Sequence, residues 1–444
     1  MNHCFPIPEV SPVPSKNIMV VYGTRPEGIK LAPVVAALRE HDTLSATTVV
    51  TGQHREMLDQ VNEIFGIVPD VDLDLFAPGQ SPTTLTARIL SRLEPVLTTL
   101  SPDAVVVQGD TTSVAAAALA AFHQRIPVVH LEVGLRSGSI LSPFPEEANR
   151  RLTSQIASLH LAPTPSAMAN LLREGVSLES IAVTGNTVID ALLHARSKRV
   201  TPEDPRIRAA LAQRRPIILV TTHRRENWGE ACVALGRALR RLTTTYPDHL
   251  VILPAHRNPV VRQSLLPQVE GTDNVVVCEP LAYGEFIRVM DAARIVLTDS
   301  GGIQEEAPSL GKPVLVMREN TERPEAVATG TVRLIGTQED RIVAEVSALI
   351  DSPALYEDMA RAVNPYGDGM AAHRSVAAIA ELLGVGERLP DFSAPRGRST
   401  TVPTVAQVPQ VPTAAQVPTV AQVPTVAQVP QVPTVAPVTQ AVLP

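Results

Sequence analysis

Aromatic residues are scarce in this chain of 444: one Trp, five Tyr and seven Phe. Hydrophobic residues still make up 44%, so the cores must be built from Ala, Val, Leu and Ile, the composition of buried parallel strands and the helices over them, which argues against an all-β sandwich. Three cysteines, Cys4, Cys232 and Cys278, are too few and too scattered for a disulfide framework or a thiolate metal site. A basic cluster is absent and the formal net charge is -7, which excludes nucleic acid as the main partner but leaves room for a local phosphate site. No uncharged apolar run reaches membrane-spanning length, and the start lacks a basic region followed by an apolar one. A soluble cytoplasmic protein with no membrane partner is expected. Also missing are GxGxxG, a P-loop, HExxH and GxSxG, so dehydrogenase, ATPase, metal-hydrolase and serine-hydrolase readings lose ground and no metal site is expected.

Proline is abundant, at 40 residues, yet nine of these fall in residues 401–444, an uncharged repeat close to Val-Pro-Thr-Val-Ala-Gln. Residues 1–16 hold Pro6, Pro8, Pro12 and Pro14. Both ends are expected to be extended arms around a folded body, whose length suits two or three domains.

Within that body short apolar runs alternate with helical patterns. Ile18 to Tyr22, Thr47 to Thr51, Ala104 to Gln108, Val128 to Leu131, Leu159 to Ala162 and Ile181 to Thr184 read as strands, with a helix over Glu27 to Glu40. Breaks at Pro202 and Pro205 precede a second set: Ile217 to Thr221, Leu250 to Leu253, Val275 to Cys278, Ile295 to Thr298 and Val314 to Met317. Such βαβ repetition predicts an α/β chain with two doubly wound domains and a ligand cleft between them. The expected division is an arm over 1–16, a first domain over 17–190, a linker over 191–215, a second domain over 216–363, a C-terminal helix over 364–390 and a tail over 391–444.

The residues that can carry chemistry stand where strands end. Gly23-Thr24-Arg25-Pro26-Glu27 opens a helix, and Arg25 and Lys30 add charge for an anion; a plain βα turn fits the spacing too. Asp110 follows Gln108-Gly109 and suits either a helix cap or a catalytic carboxylate. Glu132, in His130-Leu131-Glu132-Val133-Gly134-Leu135-Arg136, and Glu146, at a helix start, would converge with Asp110 and push one another's pKa values upward, so that one can hold a proton while another acts as base. His223 follows a strand beside Arg224 and Arg225. Asp299-Ser300-Gly301-Gly302-Ile303-Gln304-Glu305-Glu306 suits a phosphate at its glycines and ribose hydroxyls at Glu305 or Glu306. Taken alone, these residues imply a nucleotide-linked substrate and acid/base or transfer chemistry.

Read in order from Asn17 to Leu383, the clusters Gly23-Thr24-Arg25-Pro26-Glu27-Gly28-Ile29-Lys30, Thr51-Gly52-Gln53-His54-Arg55-Glu56-Met57, Gly109-Asp110-Thr111-Thr112, Pro145-Glu146-Glu147-Ala148-Asn149-Arg150, Thr184-Gly185-Asn186-Thr187, His223-Arg224-Arg225-Glu226 and Asn364-Pro365-Tyr366-Gly367-Asp368-Gly369, with those around Glu132 and Ser300, resemble the non-hydrolysing UDP-N-acetylglucosamine 2-epimerases of bacterial type. The resemblance implies a GT-B architecture of two Rossmann-like domains, interconversion of UDP-GlcNAc and UDP-ManNAc through loss and re-addition of UDP, no cofactor, a homodimer and a part in cell-envelope polysaccharide synthesis. It implies Asp110, Glu132, Glu146 and His223 as catalytic residues. Arg25, Lys30, Arg136, Phe286, Ser300, Gly301, Gly302, Glu306 and Arg323 are implied as substrate-binding residues, with Phe286 at the uracil and Glu306 at the ribose. Gln53, Arg225 and His256 match positions at which some members bind an activating second UDP-GlcNAc. A GT-B glycosyltransferase or a hydrolysing epimerase competes among enzymes, since a UDP-sugar loop alone fits each. A sugar-nucleotide sensor or scaffold is the non-enzymatic alternative.

Overall fold

The computed structural model describes residues 15–52, 55–75, 77 and 79–394. Strands β1 (Lys16–Tyr22), β2 (Leu44–Val50), β3 (Val71–Asp72), β4 (Ala104–Gln108), β5 (Val128–Leu131), β6 (Leu159–Ala162) and β7 (Ile181–Val183) form one sheet in the order β3-β2-β1-β4-β5-β6-β7. Strands β8 (Ile217–Thr221), β9 (Leu250–Pro254), β10 (Val275–Cys278), β11 (Ile295–Thr298), β12 (Val314–Val316) and β13 (Val332–Leu334) form another, ordered β10-β9-β8-β11-β12-β13. Neighbouring strands run parallel, as in β1 on β4 and β8 on β11. Each sheet is a Rossmann-like, doubly wound layer, and each reverses its strand order at one place, between β1 and β4 and between β8 and β11.

Alternation along the strands explains the layers. In β1, Ile18, Val20 and Tyr22 point into one core while Met19 and Val21 point into the core on the opposite face. In β8, Ile217 and Leu219 face one way and Ile218 and Val220 the other. Helices cover both faces, so the strands read as near-continuous aliphatic runs.

The two sheets belong to one compact unit. One core carries Ile29 and Val61 from the first half together with Tyr283, Ile287 and Ile303 from the second, joined by Val188, Ile189 and Leu192 of the helix Thr187–Ser197. The boundary expected at residue 190 therefore falls inside a helix. The expected linker over 191–215 contains a further helix, Pro205–Ala212, capped by Asp204, whose carboxylate accepts from the Arg206 amide at 2.8 Å. Pro205, read from sequence as a break, stands in that helix's first turn, where a missing N–H costs nothing.

Near the other end the helix Ala371–Leu382 packs back onto the helix Arg25–Arg39 and β6, and Asp190 accepts from its Ala372 amide at 2.9 Å. Asp391 and Phe392, assigned to the tail from sequence, belong to the body. The Phe392 amide donates to the Val183 carbonyl at 2.6 Å, its ring is buried, and the Arg374 guanidinium lies 5.6 Å from the ring centroid.

Candidate active site

The order reversals place chemistry at the strand ends. Beyond β1 and β4 stand Arg25 and Asp110, and beyond β5 stands Glu132. Glu27, three residues into its helix, accepts from the Gly23 amide and the Thr24 hydroxyl, both at 2.7 Å. Glu27 thus takes the Gly23 amide, while Thr24 makes no side-chain cap bond, so charge at this turn rests on the side chains of Arg25 and Lys30.

Glu132 occupies a left-handed backbone conformation, φ 59°, a cost of about 1–3 kcal/mol that marks a residue held in place by its surroundings. Its carboxylate accepts from the Lys30 ammonium and the Gln108 amide, and from the Asn186 amide at 3.1 Å. Burial works to raise its pKa, but Lys30, Arg323 and the Asn186 hydrogen bond override this and hold it below the ordinary carboxylate range. Asp110 goes the other way. Burial pushes its pKa up, with Glu132 and Glu146 adding to the rise, while Arg150, 2.6 Å away, opposes it. The three carboxylates expected to converge lie within electrostatic reach of one another, Glu132 and Glu146 both bearing on Asp110.

Glu132 and Glu146 line the same cavity of about 530 Å³, together with Arg136, Arg150, Asn186, Glu305 and Arg323. Arg136 is committed to Glu174 there, at 2.8 and 2.6 Å. Neighbouring Glu147, fully buried, accepts from the Ser137 amide and from Arg150 and Arg151, anchoring the helix that carries Arg150.

On the second lobe, β8 and β11 end side by side, and His223 meets Asp299 across that junction, Nδ1 to carboxylate at 2.9 Å. Asp299 is fully buried and also accepts from the Thr222 hydroxyl, the His223 and Arg224 amides and the Asn227 amide nitrogen. Burial raises its pKa, but these donors bring it down to about 2. The carboxylate stays ionised, fixes the imidazole plane and places the proton on Nδ1.

Ser300 stands at the N-cap position of the helix Gly301–Ser309, its side chain making no capping bond. Gly301 is required by close approach: a Cβ there would lie 2.6 Å from the Arg323 guanidinium. Gly302 is exposed with nothing above it, so the helix start is open to a ligand. Arg323 donates to Glu305 at 2.6 Å. Glu306 is buried and accepts from Tyr283 at 2.9 Å; burial, reinforced by Glu305, pushes it up to about 7.

Arg25 lines a second cavity of about 1000 Å³ with His256, Leu281 and Ala282. Phe286 is not among the residues lining either cavity and packs half-buried against the core. Arg225 and His256 meet through Trp228, at 6.0 and 6.4 Å from its ring; Gln53 lies outside the described residues. Asp299, Asn186 and Glu305 stand within motifs whose sequence implies no catalytic role for them, and no motif marks Trp228. Position directly after the apolar strand Ile295–Thr298 is the signal the sequence offers for Asp299. Among the described residues no His, Cys, Asp and Glu group could hold a metal ion, and no helix is long and apolar enough to cross a membrane.

Facing Rossmann-like lobes, with carboxylates on one wall and an open helix start beside an Asp-held histidine on the other, define a GT-B-type α/β protein. Residues 36–380 match the family model described as UDP-N-acetylglucosamine 2-epimerase. The UDP-N-acetylglucosamine 2-epimerase of Escherichia coli K12 is 50% identical over 369 residues, covering 82% of this chain and 98% of that protein. A crystal structure of the Neisseria meningitidis UDP-GlcNAc 2-epimerase bound to UDP-GlcNAc is 46% identical, with a TM-score of 0.74 over 82% of this chain and all of that one. The Methanocaldococcus jannaschii enzyme in complex with UDP-GlcNAc and UDP is 32% identical, with a TM-score of 0.67 over 83% of this chain and all of that one. The chain belongs to the UDP-N-acetylglucosamine 2-epimerase family and is an isomerase.

Proposed function

We propose that the cleft binds UDP-GlcNAc and interconverts it with UDP-ManNAc by anti elimination of UDP, giving a 2-acetamidoglucal that is reprotonated on the opposite face before UDP adds back. The observation that carries this reading is a pair of neighbouring carboxyl groups held differently: Glu132 accepts from Lys30, Gln108 and Asn186, while Asp110 pairs with Arg150. Burial displaces Asp110 upward, whereas for Glu132 burial is outweighed by Lys30 and the displacement is downward. Inversion at carbon needs one group to take a proton from one face and another to deliver one to the other face, and environments that push pKa values apart supply such a pair. Glu146, which lines a cavity with Glu132, completes the set.

His223, oriented by Asp299, contacts the diphosphate and supports departure of UDP. The open start at Ser300, Gly301 and Gly302 receives phosphate oxygens with Arg25 and Lys30, Glu306 the ribose hydroxyls, and Arg323 with Arg136 the sugar end. The same reading has a cytoplasmic homodimer supplying cell-envelope polysaccharide synthesis. Replacing Asp110→Asn or Glu146→Gln should lower turnover at least about a hundredfold while UDP binding persists, the scale of general acid/base effects; near-normal turnover in either variant contradicts that residue's assignment.

A further inference from the structure

Asn186 joins the two lobes at the catalytic centre. It caps the helix Thr187–Ser197, its Oδ1 accepting from the Val188 amide at 3.0 Å. That bond decides which end of the side chain is nitrogen, and the nitrogen donates to Glu132 and to Glu305, each at 3.1 Å. Its backbone amide donates to the Tyr366 carbonyl at 2.7 Å. Asn186 is buried, so none of these groups turns to solvent instead.

Each carboxylate so bridged has its own cation: Glu132 holds Lys30 and Glu305 holds Arg323. A further amide, from Asn364, donates to the Glu305 carbonyl at 2.8 Å. The result is a largely buried chain, Lys30–Glu132–Asn186–Glu305–Arg323, whose first two members belong to the first lobe and last two to the second. Two carboxylates of like charge approach the same amide, and its two N–H groups are what keep them in register.

We propose that Asn186 is a positioning residue for the epimerisation: its amide fixes the Glu132 carboxylate against the second lobe, so that the group acting at C2 is aligned with the lobe that holds UDP. This rests on the role given to Glu132 above. A cap alone would use only Oδ1, and serine caps as well as asparagine does. The bridge needs both N–H groups, which serine lacks.

The discriminating experiment compares Asn186→Ser, which keeps a cap acceptor, with Asn186→Ala, which does not, in steady-state epimerisation across pH, beside Glu132→Gln. Bridging predicts that both Asn186 variants lose turnover by about tenfold to a hundredfold, the scale of one hydrogen bond to a charged group, with KM for UDP-GlcNAc changed much less. The pH-profile limb governed by Glu132 moves to higher pH in both, because the carboxylate has lost a donor while Lys30, Asp110, Glu305 and Arg323 still face it. Wild-type turnover and an unmoved limb in Asn186→Ser, with loss only in Asn186→Ala, reduce the residue to a helix cap and overturn the inference. Normal turnover in Glu132→Gln overturns the assignment of Glu132 and this inference with it; an impaired Glu132→Gln beside a wild-type Asn186→Ser overturns the inference alone.

Discussion

At the scale of single residues the cleft is a set of charges held away from their ordinary behaviour, and Glu306 is the clearest to test. Its carboxyl lies at about 7 in the folded chain against 4.5 when unperturbed, burial being the main cause. A carboxyl raised by folding contributes stability that is complete below about pH 4.5 and is lost as pH rises through about 7. Between about pH 5 and about pH 8 the ligand-free protein should therefore lose more melting temperature than Glu306→Gln does; parallel curves would show that Glu306 is not held this way. Asp110, Glu132 and Glu146 were legible as carboxylates at strand and helix ends. The bridge from Asn186 to Glu305 was not, because it joins positions 119 apart in the chain and lies between sheets whose facing is set by packing. His223 could be read as following a strand, but its pairing with Asp299 depends on β8 lying beside β11, which is a property of sheet order.

At the scale of elements, strands buried on both faces were legible as aliphatic runs; β4, β5, β6, β8, β10 and β11 match their expected spans. The shortfalls have local causes. β3 is the pair Val71–Asp72 at a sheet edge and β13 is Val332–Leu334 with a central arginine, too short or too polar for a periodic signal. β2 begins at Leu44, earlier than the expected Thr47, because its first four residues form no apolar run: only Leu44 is buried, Ser45 is exposed, and Ala46 and Thr47 are half-buried. Two glycines separate support of an element from service to the site. Gly134 has φ 93°, and a Cβ there would lie 2.4 Å from the Ala167 carbonyl oxygen. Gly134→Ala should cost at least about 2 kcal/mol in chemical denaturation. Gly301 stands at a helix start, and what an added Cβ meets is the side-chain end of Arg323 rather than backbone. Gly301→Ala should keep its denaturation midpoint while losing about tenfold or more in turnover through displacement of that guanidinium. Equal stability losses in the two variants would contradict the distinction.

At the scale of the whole molecule, two order reversals face one cleft and a helix from the end of the body returns to the first sheet, so the lobes share packing as well as the site. The Escherichia coli relative is matched over 98% of its length by 82% of this chain, which leaves the Val-Pro repeat outside the shared enzyme. Removal of everything after Arg398 should leave kcat and KM unchanged; a loss of either would give the repeat a part in catalysis. The central claim is inversion at C2 by proton exchange within the cleft, and incubation of the purified protein with UDP-GlcNAc in deuterium oxide, followed by NMR, tests it most directly. Deuterium should enter at C2 as UDP-ManNAc accumulates to equilibrium. Recovery of unlabelled UDP-GlcNAc alone, or stoichiometric release of free ManNAc, would contradict it.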